Sequence, residues 1–220
     1  MHTILQQRIK KRNELRNVPP HLLAGISIHV INDRGQTFAD IQRLDLYFTK
    51  VIQVESMAEL IKKLEQQGQL KADDMAAYLV QRYQLNAFLL QKTLYYIYAD
   101  YLEKYASSPF VANFEAFDHG PVETEVYRKY RYTNNLEEDV AFNDKLAVCP
   151  YTTELLDLSE LTVAKCCSQY QGAWDDQTKN LTHRAGTPWS RAYARKMDVT
   201  ILDEDIIKYH HLEHLPVSTN

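Results

Sequence analysis

LLQKTLYYIYADYLEKY, residues 89–105, is the stretch on which the fold turns. Leu90, Leu94, Ile97, Tyr98, Tyr101, Leu102 and Tyr105 recur at three- and four-residue spacing, the signature of a helix with one buried face. Asn86, a good N-cap residue, stands just before it. The tyrosines are mostly core residues, although tyrosine at this density also suits an interface. Gln91 and Lys92 are polar outliers on this helix. Either they face solvent, or they are buried with partners, Gln91 bonding the backbone of a loop.

Outward from that helix the chain reads as mainly α. Ser56 and Glu59 have capping-box spacing, and Gly68 follows at the C-cap, which predicts a helix over 56–68 with Leu60, Ile61 and Leu64 buried. A second helix spans Ala72 to Tyr83 with Met75, Ala76, Leu79 and Tyr83 on one face. Residues 106–120 are irregular or briefly extended, anchored by Phe110, Phe114 and Phe117. Gly120 permits a tight turn and Pro121 suits the first position of a helix to Arg131, carrying Val122, Val126, Tyr127 and Tyr130. Residues 134–150 read as an acidic loop. Thr152 or Thr153 then opens a helix with Leu155, Leu158, Leu161, Ala164 and Cys167 inward, and shorter helices follow over 174–183, 189–197 and 203–212.

The N-terminal part reads differently. Residues 1–16 form a polar helix or basic arm, broken at Asn17-Val18-Pro19-Pro20. Ile26, Ile28 and Val30 alternate with Ser27, His29 and Ile31, and Leu44–Val54 is a second β-rich run, so two strands are expected here. The predicted organisation is a small α+β accessory segment (1–69), a compact helical domain (70–212) and a tail (213–220).

Composition narrows the function. The 220 residues are 45% hydrophobic and 25% charged, with six glycines and seven prolines, which excludes collagenous and low-complexity chains. The basic stretch Arg8–Arg16 is a poor signal peptide, interrupted by Glu14 and Pro19-Pro20, and no apolar run reaches membrane-spanning length. Cys149, Cys166 and Cys167 form neither a disulfide framework nor a zinc spacing. A cytoplasmic protein with no membrane association is expected. Residues 1–70 hold ten Lys/Arg against seven Asp/Glu and the remainder fifteen against twenty-two, so a broad nucleic-acid surface is excluded.

The motifs for chemistry are sparse. The chain lacks a P-loop, a dinucleotide fingerprint and a GxSxG elbow. His183 has no committed nucleophile beside it, and Trp189 after Pro188 reads as a core anchor. His210 and His214 share a helix face, but no third distant ligand stands out, so no metal and no cofactor are expected. The acidic groups Glu137-Glu138-Asp139 and Asp175-Asp176 read as solvated faces.

Three ordered blocks carry a resemblance. They are Leu90-Gln91-Lys92 with Leu94-Tyr95-Tyr96; then Phe110, Phe114-Glu115-Ala116, Gly120-Pro121-Val122 and Val126-Tyr127; then Leu181-Thr182-His183, Pro188-Trp189 and Ala192. Together with the preceding helix DDMAAYLVQRY (73–83), they resemble the phage-associated SocA-like, or Panacea, antitoxin domain over about residues 70–212. Phe117 stands where the pattern commonly has tryptophan, His119 where it has tyrosine or asparagine, and the third block holds an extra residue.

The resemblance implies a non-enzymatic antitoxin that neutralises a cognate toxin, encoded by a neighbouring gene, by direct binding. On a compact helical scaffold of this kind, a groove near Glu115–Val122 is expected to help hold the toxin, with Gln91, Lys92, Tyr95, Glu115, His119, Gly120, Pro121, Val122 and Tyr127 as the expected partner-binding residues. Thr182, His183, Pro188 and Trp189 are then structural members of the motif. The alternatives are an adaptor delivering the toxin to a cytoplasmic protease, an autoregulator binding operator DNA through the 8–16 basic arm, and an enzyme that detoxifies the toxin's product using His183.

Overall fold

A computed structural model describes residues 13–16, 18–24, 38–44, 46–132, 140–170, 172, 176–196 and 198–216. The chain divides into two units, Met1–Gly68 with Ala147–Cys149, and Gln69–Leu146 with Pro150–Asn220.

The first unit contains short helices α1 (Pro20–Ala24) and α2 (Phe38–Leu44), a 3-10 turn at Leu46–Lys50, and α3 (Met57–Gln67). Val18, Leu22 and Cys149 are its buried apolar side chains among the described residues. The strand expected over Leu44–Val54 is corrected to the end of α2 and the 3-10 turn. Local bonds win there: Gln42 Nε2 donates to the Phe48 carbonyl at 3.0 Å and the Val51 amide to the same oxygen at 3.3 Å. Val51 and Ile52, the β-branched residues behind that expectation, are exposed without a partner strand among the described residues. The strand expected at residues 26–31 lies outside the described residues, as does the 8–16 arm up to Arg12.

The α3 cap is as expected, with Ser56 Oγ accepting from the Glu59 amide at 3.1 Å. Its apolar face is only half-buried, so Leu60, Ile61 and Leu64 do not form the expected buried stripe. Gly68 closes the helix in a right-handed conformation (φ −76°). Its glycine is explained by close approach, because a Cβ at this position would meet the side chain of Val148.

In the second unit, α4 (Ala72–Tyr83) leads into α5 (Ala87–Tyr105), capped by Asn86 Oδ1 accepting from the Leu89 amide at 2.9 Å. Helix α5 is buried along most of its length and packs most extensively on α8 (Thr152–Tyr170). Tyr83, expected inward, is half-buried, and Tyr105 is exposed. The hairpin β1 (Phe114–Phe117) and β2 (Gly120–Glu123) is antiparallel, with Glu115 opposite Val122 and Ala116 opposite Pro121. Pro121 therefore sits in a strand, not at a helix start; β2 pairs on one side only, where a missing amide is tolerated. The following helix, α6 (Thr124–Tyr130), is instead capped by Glu123, whose Oε2 accepts from the Val126 amide at 2.8 Å. Val122 is accordingly a strand residue.

The other edge of β1 is covered from far along the chain. The Ala116 amide donates to the Val199 carbonyl at 2.9 Å, the Asp198 amide to Ala116 at 3.0 Å and the Ile201 amide to Phe114 at 2.8 Å. Helix α7 (Val140–Val148) replaces most of the acidic loop expected over 134–150; residues 133–139 lie outside the described residues. Its Lys145 contacts Asp74 at 2.6 Å.

Helix α8 turns a different face inward from the one expected. Leu155, Ser159, Thr162, Val163, Cys166 and Tyr170 are buried, whereas Leu161 and Ala164 are exposed. Ser159 tolerates burial by donating to the Leu155 carbonyl at 2.6 Å. Two 3-10 turns (Gln177–Lys179, Leu181–His183), α9 (Pro188–Arg195), α10 (Asp203–Tyr209) and a last 3-10 turn (His210–Leu212) complete the unit. The mainly α reading is right. Among the described residues no helix is long and apolar enough to cross a membrane.

Candidate functional site

At the N-terminal end of α5 the second unit holds a mostly apolar cavity of about 300 Å³, walled by α5, the β1–β2 turn and α6. Six of the nine residues expected to bind a partner line it: Gln91, Lys92, His119, Pro121, Val122 and Tyr127. Three do not. Gly120 lies behind the wall, Tyr95 is in the core, and Glu115 is half-buried on β1, bridged to Thr200.

The cavity floor is a polar network buried among aromatics. Lys92 is 1% exposed, and its Nζ donates to Asn180 Oδ1 at 2.8 Å and Thr182 Oγ1 at 3.2 Å. The ammonium also lies 5.5 Å above Phe88 and 5.4 Å above Tyr170. Asn180 Nδ2 passes the link to the His119 carbonyl at 3.0 Å, and Thr182 Oγ1 donates to Asn180 Oδ1 at 2.8 Å. Lysine and turn thereby hold each other. With no carboxylate bonded to it among the described residues, burial lowers the Lys92 pKa to about 7, against the weaker opposing pull of Glu213.

Gly120 is the consequence. Its φ of +118° suits glycine, and a Cβ would strike Lys92 Nζ and come 3.0 Å from Thr182 Oγ1. Gln91 supports the same strand, its Oε1 accepting from the Glu123 amide at 2.8 Å. Both polar outliers of the helix are therefore buried with partners.

The motif residues Thr182, His183, Pro188 and Trp189 brace the turn from behind. Thr187 Oγ1 donates to the Thr182 carbonyl at 2.5 Å and caps α9, where Pro188 opens the helix. Trp189 Nε1 donates to the Phe117 carbonyl at 2.8 Å. His183 lies flat on Trp189, with centroids 3.8 Å apart at 8°. Burial, with the charges of Lys92 and His119, pushes the His183 pKa down to about 4, leaving the ring neutral near pH 7.

Sequence reasoning missed the cavity's far wall: Ala87, Phe88, Phe117, Asp118, Arg131, Tyr132 and Asp198. Arg131 lies 4.6 Å over the Tyr132 ring, and Tyr132 is 86% exposed, a large aromatic at the rim. Asp198 carries a positive φ of 57° at the start of the segment that covers β1, a placement no sequence spacing reveals.

The buried helix α5 thus starts at a mostly apolar cleft with a polar floor. Residues 90–190, just under half of the chain, match the family model described as antitoxin SocA-like, Panacea domain. No curated protein and no solved structure matches the chain.

Proposed function

We propose that this protein is an antitoxin that neutralises a cognate toxin by direct binding, with the α5–turn–α6 cleft receiving an apolar segment of the toxin. The observation that supports this reading most is the overlap between the antitoxin-family match and a cleft lined by the motif residues themselves. The polar groups of the floor bond to one another, so they shape the cleft, and its accessible surface is mostly apolar. A rim of Tyr127, Arg131 and Tyr132 supplies the residue types that dominate binding hot spots. The N-terminal segment (1–69) would add toxin-specific contacts beside the domain at 70–212.

The test is co-expression with the product of the neighbouring gene, scoring growth rescue and co-purification together. A stoichiometric complex with rescue is expected. Tyr127→Ala, which removes a half-buried cleft ring, should weaken the complex at least tenfold while the circular dichroism spectrum stays unchanged. Full rescue by a folded Tyr127→Ala/Tyr132→Ala double variant would exclude the cleft as the contact. Rescue without any complex would favour an enzymatic or degradative route.

A further inference from the structure

The two histidines near the C-terminus acquire in the fold the third donor that their spacing lacked. His210 and His214 lie against α5, and Asp100 of that helix stands with them; one ligand atom from each falls within 4.8 Å of the other two. His210 Nε2 is 2.8 Å from Asp100 Oδ1, and His214 Nε2 is 2.6 Å from Glu103 Oε2, one helical turn further along α5. Two imidazoles and a carboxylate, with a second carboxylate beside them, form a borderline donor set suited to a divalent transition ion rather than to Mg²⁺ or Ca²⁺.

Two further observations point the same way. His210 is 0% exposed, and its other nitrogen, Nδ1, is 2.9 Å from Oε1 of Glu213, which is also 0% exposed. That carboxylate in turn accepts from Tyr95 Oη at 2.6 Å. This is the carboxylate–histidine arrangement that fixes the ring and directs Nε2 at a metal. A cavity beside the cluster is lined by Asp100, Glu103, Glu154 and Asp157 together with His214, against two cations, Lys104 and Lys165, so carboxylates outnumber cations at the approach. Tetrahedral ligands on Zn²⁺ lie about 3.3 Å apart, so the His210–Asp100 pair, 2.8 Å apart, must open slightly, and the separations to His214, within 4.8 Å, must close by up to about 1.5 Å. His214, with its side chain 50% exposed, is able to make that movement.

We propose that Asp100, His210 and His214 form a zinc-type metal site that staples the C-terminal segment to α5, with Glu103 as the nearest fourth donor. It is separate from the toxin-binding cleft and does not depend on that reading. The test is calorimetric titration of the EDTA-stripped full chain with Zn²⁺, paired with the visible spectrum of the Co²⁺ form. One ion per chain and an intense tetrahedral Co²⁺ band are expected, with neither Mg²⁺ nor Ca²⁺ competing. His214→Ala and Asp100→Asn should each weaken Zn²⁺ binding at least tenfold and abolish the band, whereas His211→Ala should leave both unchanged. Because the His214 side chain is half exposed, its removal leaves the fold, checked by circular dichroism, as it was. No saturable Zn²⁺ uptake, or equal uptake by the wild type and both ligand variants, would overturn the proposal and leave the cluster as an ion-pair network.

Discussion

The two ends of α5 bury a cation to the same depth and treat it in opposite ways. Near its start, Lys92 meets an amide oxygen, a hydroxyl and two aromatic faces, and burial lowers its pKa to about 7. Near its end, His210 is held between Asp100 and Glu213. Burial alone would lower its pKa, but the two carboxylates outweigh that and raise it to about 9. Both residues are at most 1% exposed, so depth cannot be what separates them. The formal charge of the bonded partner decides the direction. A lysine placed among neutral partners leaves its region electrostatically unfinished, and that is the end where the cleft lies.

The largest effect should come from breaking the charged end. Glu213→Ala strips a buried imidazolium of one carboxylate and Tyr95 of its acceptor, and should cost about 3–5 kcal/mol of unfolding free energy in urea denaturation. A cost below about 1 kcal/mol would mean that the carboxylate does not hold His210 as described. Next in size is Gly120→Ala, which meets both an unfavourable φ and the ammonium of Lys92. About 2–3 kcal/mol is expected, part of it recovered when Lys92 is also truncated to alanine. Equal costs in the two backgrounds would show that the lysine contact is irrelevant.

The smallest effect at neutral pH, and the sharpest comparison, is Lys92→Met. The volume is nearly kept and a poorly compensated charge is removed, so stability at pH 7 should change by no more than about 1 kcal/mol. The pH profile separates the two ends. Lys92 has a folded value below its ordinary 10.5, so its contribution grows as pH rises from about 7 toward 10.5. His210 has a folded value above its ordinary 6.5, so its contribution is lost as pH rises from 6.5 through about 9. Between pH 7 and 9 the two oppose each other. The groups facing Lys92 are Glu213, the Cys166 thiol and His183; those facing His210 are Asp100, Glu213 and His214. With EDTA present, Lys92→Met should therefore lose stability over this window more steeply than the wild type, by up to about 1.4 kcal/mol per pH unit. A variant as flat as the wild type would break the comparison.

Helices whose boundaries depend on their own residues were legible. The caps at Ser56 and Asn86 and the apolar period of Ala72–Tyr83 act within one turn of the chain, so sequence alone locates them. Features that depend on distant partners were not legible. Helix α8 buries Ser159 and Thr162 and exposes Leu161, because the face is chosen by what packs on it and not by its most apolar stripe. Pro121 has a fixed φ that suits a helix start and an edge strand equally, and the pairing with Ala116 chooses the strand. The cleft was half legible: its motif residues stand out in the sequence, while Phe88, Arg131, Tyr132 and Asp198 arrive by tertiary placement. Asp100 is a polar residue on a tyrosine-rich helix, and nothing in its spacing ties it to His210.

The covering of β1 has a consequence for synthesis. Strand β1 pairs on one edge with a hairpin partner made moments later, while on the other Phe114 and Ala116 bond to Ile201, Val199 and Asp198, which leave the ribosome some eighty residues later. Until then the strand presents an open edge with apolar side chains, the feature that invites mispairing between nascent chains. The same late segment carries α10 and the histidines that seal α5, so a message cut short even slightly upstream of it yields a product with its central helix uncovered.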